Sequence, residues 1–294
     1  MRVLILGVSG MLGSTVLDVF SQDQTFEIYG TLRSASALQF FPHSVHSRLL
    51  TNVDVLDADS LMQILGQVRP DVVINCVGLI KQLANANDPL VALPLNTLFP
   101  HRLSHLCALA DIRLIHISTD CVFSGRKGMY CESDTSDCTD LYGKSKYLGE
   151  IHDQPHAVTL RTSIIGHELN SQVSLIDWFL SQGGTAKGFT KAIFSGLPTA
   201  ELAFVIKDWV IPNPQLSGLY HVAAESINKY DLLKLTASVY GKECDITPDE
   251  SVVIDRSLDA SRFAAATGYK APSWQTLIEK MHTWRDLRQA QFAR

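Results

Sequence analysis

A doubly wound parallel α/β sheet is the fold class that this sequence predicts, on three observations. Short β-branched and apolar runs alternate along the chain with longer amphipathic ones. The first apolar run leads at once into a glycine-rich turn, Gly7-Val-Ser-Gly10-Met-Leu-Gly13. Two further runs, Val72-Val-Ile74 and Leu114-Ile-His-Ile117, are apolar nearly throughout, as central strands covered on both faces must be.

Strands are expected at Arg2 to Leu6, Phe26 to Leu32, Leu49 to Val55, Asp71 to Val77, Arg113 to Ser118 and Ala157 to Arg161. Helical patterns lie between them at Leu12 to Phe20, Ser60 to Val68, Thr97 to Ala110 and Tyr142 to Ile151. Pro94 and Pro100 interrupt the third of these and leave its start open. Beyond Ile165 the rhythm changes, with helices at Val173 to Leu180, Thr199 to Val210 and Lys229 to Tyr240 and a strand at Leu219 to Val222. Trp274, Leu277, Ile278, Met281, Trp284 and Leu287 recur at helical spacing and mark a packed final helix. Residues 1–165 therefore read as a nucleotide-binding domain of Rossmann type. Residues 166–294 read as a smaller mixed α/β region, mainly for substrate, that covers the first domain and is free to return elements to it.

A formal net charge of −5 and the absence of an extended basic run argue against nucleic acid or an acidic membrane surface as partner. A small soluble ligand fits better. No apolar stretch approaches the length that spans a bilayer. The opening Met1-Arg-Val-Leu-Ile-Leu6 is broken by glycines and followed by Asp18, so it reads as a strand rather than an export signal. Cys76, Cys107, Cys121, Cys131, Cys138 and Cys244 stand without a Cys-x-x-Cys pair and read as reduced thiols of a cytoplasmic protein, although Cys131 and Cys138 are near enough in sequence to pair on oxidation. His116, flanked by isoleucines, reads as a core residue, and no His/Asp/Glu cluster suggests a metal.

The glycine turn sits between a strand and a helix, which is the context a dinucleotide loop requires. Missing side chains let the backbone approach a pyrophosphate, and the helix N-terminus supplies free N–H groups and a favourable dipole. Gly7, Ser9, Gly10, Met11, Leu12 and Gly13 are the expected contacts. At the end of the second strand, Arg33 stands where an NAD enzyme carries a carboxylate against the ribose diol. An arginine there suits a 2′-phosphate, so NADPH is expected over NADH; the plainer alternative is a solvated surface arginine. Asp54 and Val55, closing the third strand, are expected to flank the adenine.

Thr119 ends the fifth strand, and open α/β sheets bind ligands at the carboxyl ends of their strands. Tyr142 and Lys146 follow at a spacing of four, on one helix face. Thr119 can orient a carbonyl, Tyr142 can protonate the developing alkoxide, and Lys146 can lower the Tyr142 pKa and hold a ribose. Tyr230 and Lys234 repeat the spacing but follow no Ser/Thr strand end, and read as packing.

With these residues the chain resembles the extended short-chain dehydrogenase/reductase superfamily, and within it the dTDP-4-dehydrorhamnose reductase group. The resemblance covers nearly the whole length and rests on the glycine turn, Asn75-Cys-Val-Gly78, Asn96, Ser118-Thr119-Asp120-Cys-Val-Phe-Ser-Gly125, Tyr142-Gly-Lys-Ser-Lys146, Arg161-Thr-Ser-Ile-Ile-Gly166 and Leu219-Tyr-His-Val222. It implies Thr119, Tyr142 and Lys146 as a catalytic triad, and Cys76, Val77, Gly78, Asn96 and Ser118 as further cofactor contacts. It also implies a sugar site at Ile80, Thr119, Asp120, Arg161, Ser163 and Arg256; Arg256 or Arg262 suits a diphosphate, and a surface ion pair is an equally good reading of either. The implied reaction is reduction of a nucleotide-linked 4-keto-6-deoxy sugar for surface polysaccharide or deoxysugar biosynthesis, in a chain that could pair as a homodimer. Two departures bear on the sugar pocket: Cys121 where the family carries Tyr, and Asp140-Leu-Tyr142 where it carries Asn-Xaa-Tyr. Two other readings stay open. One is an epimerase or dehydratase on the same scaffold; the other is a non-catalytic cofactor-binding subunit, since the regulatory subunit of methionine adenosyltransferase resembles the same fold group.

Overall fold

A seven-stranded sheet, parallel throughout, organises the chain in a computed structural model that describes residues 1–79, 81 and 86–292, with side chains to residue 290. Its strands are β1 (Arg2–Leu6), β2 (Glu27–Thr31), β3 (Leu49–Leu50), β4 (Val72–Asn75), β5 (Arg113–Thr119), β6 (Ala157–Thr162) and β7 (Gly218–His221). They lie in the order β3-β2-β1-β4-β5-β6-β7. Sequence order reverses between β1 and β4, so a crevice opens between their carboxyl ends.

Alternate side chains of each strand enter different cores, because successive Cβ atoms point to opposite faces. Val3 and Ile5 join Ile74, Ile115 and Val158 under α1 (Met11–Ser21). Leu4 and Leu6 join Val73 and Leu114 under α2 (Ala58–Val68) and α3 (Phe99–Leu109). This double burial is why the central strands carry no polar alternation.

The third strand is shorter than the expected run to Val55. Asn52 takes φ 59°, a left-handed turn that asparagine tolerates, and pairing stops after Leu50. Asp54 and Val55 thus lie in a loop, where the Asp54 carboxylate accepts from Leu56 N at 2.9 Å. The prolines noted above do not end the helix before β5. Pro89–Ala92 is α-helical, Leu93–Leu98 widens into a π-helical stretch containing Pro94, and α3 continues from Phe99.

Chain beyond residue 165 returns to the sheet. β7 pairs with β6 in parallel register, Leu219 opposite Thr159 and His221 opposite Arg161. The helix α5 (Thr199–Val205), which follows α4 (Leu141–Leu148), packs on α1, where Thr15 Oγ1 donates to Thr199 Oγ1 at 3.1 Å. Short strands at Ala192–Phe194, Ile227–Asn228 and Ile254–Asp255 form a small sheet beside α6 (Lys229–Tyr240). The last helix, α7 (Trp274–Phe292), buries Leu277, Ile278 and Met281. Tyr230 packs against Gly188, and the exposed Lys234 places its ammonium 5.3 Å from the Tyr230 ring centroid. The six cysteines are free thiols, and no helix among the described residues is long and apolar enough to cross a membrane.

Candidate active site

The glycine turn is built for close approach. Gly7 has φ +82°, and a Cβ on Gly13 would stand 2.2 Å from the Gly7 carbonyl oxygen, so α1 can lie on its own turn only with glycine there. Gly10 caps α1 without a side-chain hydrogen bond, and the first turn holds no acidic residue. Its opening N–H groups are left for an anion, and the helix dipole favours one. A pyrophosphate fits this end of the crevice. Ser9, Gly10, Met11 and Leu12 line a cleft of about 670 Å³ here, and Cys76, Val77 and Gly78 line it from the end of β4. Gly7 and Gly13 shape the turn without lining the cleft.

Asp140 begins α4 by accepting the Gly143 N–H at 2.8 Å. The helix then presents Tyr142 and Lys146 to the cleft, facing Ser118 and Thr119 at the end of β5. Two glycines let it come so near: a Cβ on Gly143 would meet Cys121 O at 2.3 Å, and one on Gly149 would meet Asn96 O at 1.9 Å. Lys146 is buried and donates from Nζ to Ile117 O at 2.8 Å. Thr119 Oγ1 donates to Asp120 at 3.2 Å and accepts from Cys121 N at 3.2 Å, which folds the strand end into a short turn.

Burial dominates the electrostatics of Tyr142 and Lys146. Burial, reinforced by Cys121 and Asp120, pushes the Tyr142 phenol above its ordinary value, and the Thr119 hydroxyl offsets part of that rise. Lys146 donates to the Ile117 carbonyl, and burial brings its own pKa down to about 8, against the pull of Glu150 and Cys76. Tyr142 is therefore a firmly neutral phenol, suited to give a proton rather than to take one.

Of the residues expected at the sugar, Thr119, Asp120, Ser163 and Arg256 line the same cleft. Arg256 donates from Nε to Phe123 O at 2.8 Å and from Nη1 to Cys121 Sγ at 3.6 Å. Burial raises the Asp120 pKa, and Arg256 opposes it. Arg161 is not at the cleft wall. It is 1% exposed, with Nε on Glu150 at 2.8 Å, Nη2 on Glu150 at 2.5 Å and Nη1 on His221 at 2.9 Å, because β7 closes over the strand that carries it. Asn96 is likewise set one layer back. Its Oδ1 accepts from Leu79 N at 2.9 Å and its Nδ2 donates to Ser145 at 3.1 Å, so it braces the loop after β4 against α4. Arg33 is exposed just beyond β2, and Arg33, Asp54 and Val55 all sit outside the cleft lining. Ile80 lies outside the described residues.

The cleft is also lined by residues that the sequence did not point to, Lys229, Glu168 and Ser174 among them. Lys229 opens α6, lines the cleft, and has its pKa lowered by burial, with the charge of Asp120 opposing that fall. Nothing local marks it, since only the fold of the small sheet brings it there. Glu168 and Ser174 flank the cleft from the segment before Leu175–Ser181, with Glu168 accepting Val173 N at 2.8 Å and Ser174 N at 2.9 Å. Cys121 was noticed only as a departure; a small thiol in place of a phenol leaves room beside Tyr142.

The probable low-salt glycan biosynthesis reductase Agl14 of Haloferax volcanii is 27% identical over 88% of this chain and 85% of its own length. Methionine adenosyltransferase 2 subunit beta of Bos taurus is 25% identical over 97% of this chain and 90% of its own. The structure of dTDP-4-dehydrorhamnose reductase from Bacillus anthracis in complex with NADP matches with a TM-score of 0.77, covering 96% of this chain and 98% of that one at 20% identity, a likeness of fold. The RmlD substrate binding domain family matches residues 1–285, from the first strand into the last helix, and the chain belongs to that family.

Proposed function

We propose that the protein is an NADPH-dependent reductase of a nucleotide-linked 4-keto-6-deoxy sugar, supplying an activated deoxysugar for polysaccharide assembly. One observation carries the reading: a single cleft joins the uncapped start of α1 to Thr119, Tyr142 and Lys146 and to the cations Lys229 and Arg256. Bound NADPH supplies a hydride to the substrate carbonyl. Thr119 Oγ1 orients the carbonyl oxygen, and Tyr142 Oη delivers the proton that completes the alcohol. Lys146 Nζ holds the cofactor ribose. Lys229 and Arg256 meet the sugar's diphosphate with charge-assisted hydrogen bonds. The exposed Arg33 at the end of β2 supports the choice of a 2′-phosphate over a bare diol.

The test is incubation with NADPH and dTDP-, UDP- or GDP-linked 4-keto-6-deoxy sugars, with products identified by NMR. Stoichiometric oxidation of NADPH is expected, and Tyr142→Phe should abolish turnover while keeping NADPH affinity. Sugar rearrangement without net NADPH oxidation would mean an epimerase or dehydratase. Tight NADPH binding with no turnover, and co-purification with an enzyme, would favour a regulatory subunit.

A further inference from the structure

A buried ion pair stands directly behind the cleft and takes no part in the steps above. Glu150 lies four residues after Lys146, just past the end of α4, and its side chain is 0% exposed. Its carboxylate accepts from Ser118 Oγ at 2.6 Å and from Arg161 Nε and Nη2 at 2.8 and 2.5 Å. Ser118 sits between Ile117, whose carbonyl holds Lys146, and Thr119. The end of α4 therefore grips two consecutive residues of β5, Ile117 through Lys146 and Ser118 through Glu150.

We propose that Glu150 is a positioning residue for the carbonyl chemistry, holding the Thr119 end of β5 in register with Tyr142 and Lys146 through Ser118 and Arg161. Arg161 extends the grip. Its Nη1 donates to His221 Nε2 at 2.9 Å, leaving His221 Nδ1 to donate to Tyr130 O at 3.0 Å. Its guanidinium also lies 4.9 Å from the Phe123 ring centroid, and Phe123 O accepts from Arg256. One buried carboxylate thus ties the triad to the loop that seats the substrate-side arginine.

The same carboxylate acts on charge. Lys146 is faced by Glu150, by Cys76 at the end of β4 and by His116 on β5, and of these Glu150 is the foremost influence favouring its protonated form. Glu150 is faced by Arg161 on β6, Ser118 on β5 and the half-exposed His152 in the loop that follows, which together bring its pKa down to about 2 against burial. Removing its charge leaves Lys146 among desolvating neighbours and an unpaired Arg161, so Lys146 should lose its proton at lower pH.

This inference rests on the reductase reading, and the test separates the two. Wild type, Glu150→Gln and Ser118→Ala, as full-length proteins, are titrated with NADPH and assayed with the 4-keto sugar that wild type reduces, from pH 6 to 10. Glu150→Gln is expected to lower kcat at least tenfold, to change KM for the sugar less than twofold, and to move the alkaline limb of activity and of NADPH binding to lower pH by about half a unit or more. Ser118→Ala is expected to lower kcat several-fold with the limb unmoved, because the charge remains; it also tests the grip if Glu150→Gln does not fold. An unmoved limb in Glu150→Gln, or a kcat within twofold of wild type in either variant, overturns the proposal. If wild type binds NADPH but reduces none of the sugars, the reductase reading falls, and an unmoved pH dependence of NADPH binding in Glu150→Gln separately overturns the action of Glu150 on Lys146.

Discussion

Replacing Lys146 with Met should make the protein inactive and more stable. Keeping a proton on a buried lysine whose pKa falls from 10.5 to about 8 costs about 3 kcal/mol at pH 7. Met fills a similar volume without charge, and gives up one hydrogen bond to Ile117 O, worth about 1 kcal/mol. A net gain of about 2 kcal/mol remains, or roughly 4 °C in Tm for a chain of this size. The sign sets the pH window. A lysine with a depressed folded pKa penalises folding fully below pH 8, and the penalty fades as pH rises toward 10.5, because the unfolded chain binds more protons across that interval. Thermal melts of both proteins at several pH values between 7 and 10.5 should therefore show the Met variant ahead at neutral pH and the gap closing in alkali. A variant that melts below wild type at pH 7, or a gap that does not change with pH, would refute the account of Lys146 as a charge held in the site at the expense of stability.

Two further substitutions probe the site. Arg33→Ala should raise KM for NADPH about tenfold or more while leaving KM for NADH within twofold, measured by steady-state kinetics with each cofactor; an unchanged preference would remove Arg33 from cofactor selection. Gly143→Ala should cost about 1–3 kcal/mol and lower kcat by tenfold or more, because its Cβ would meet Cys121 O at 2.3 Å and push Tyr142 away from Thr119; a variant with wild-type kcat and Tm would contradict that packing.

The sequence made some parts of this site legible because their signal is local. A strand running straight into Gly7, Gly10 and Gly13 has few other outcomes, and a Tyr and Lys four apart behind a Ser-Thr strand end face the same way on any helix. Arg161 was misread because being near a strand end does not fix what a side chain meets: Glu150 and the later His221 surround it, and neither pairing is visible until β7 is laid beside β6. The third strand was drawn too long because a single left-handed residue, Asn52, ends its pairing early and puts Asp54 in a loop. Lys229 comes into the cleft only through the small sheet that includes Ile227–Asn228, a long-range pairing with no local trace.

The late arrival of β7 has a consequence for how the molecule is made. A nascent chain that has emerged only as far as Thr162 already contains the glycine turn, Thr119, Tyr142 and Lys146, yet β6 is then an open edge and Arg161 lacks the imidazole that covers it. The loop that carries Tyr130 also waits, since it bridges to Leu258. The first 165 residues are thus completed only by segments made later, β7 and the stretch around Leu258. A fragment ending near residue 165 would be a six-stranded sheet with β6 as an open, aggregation-prone edge, not a small working enzyme.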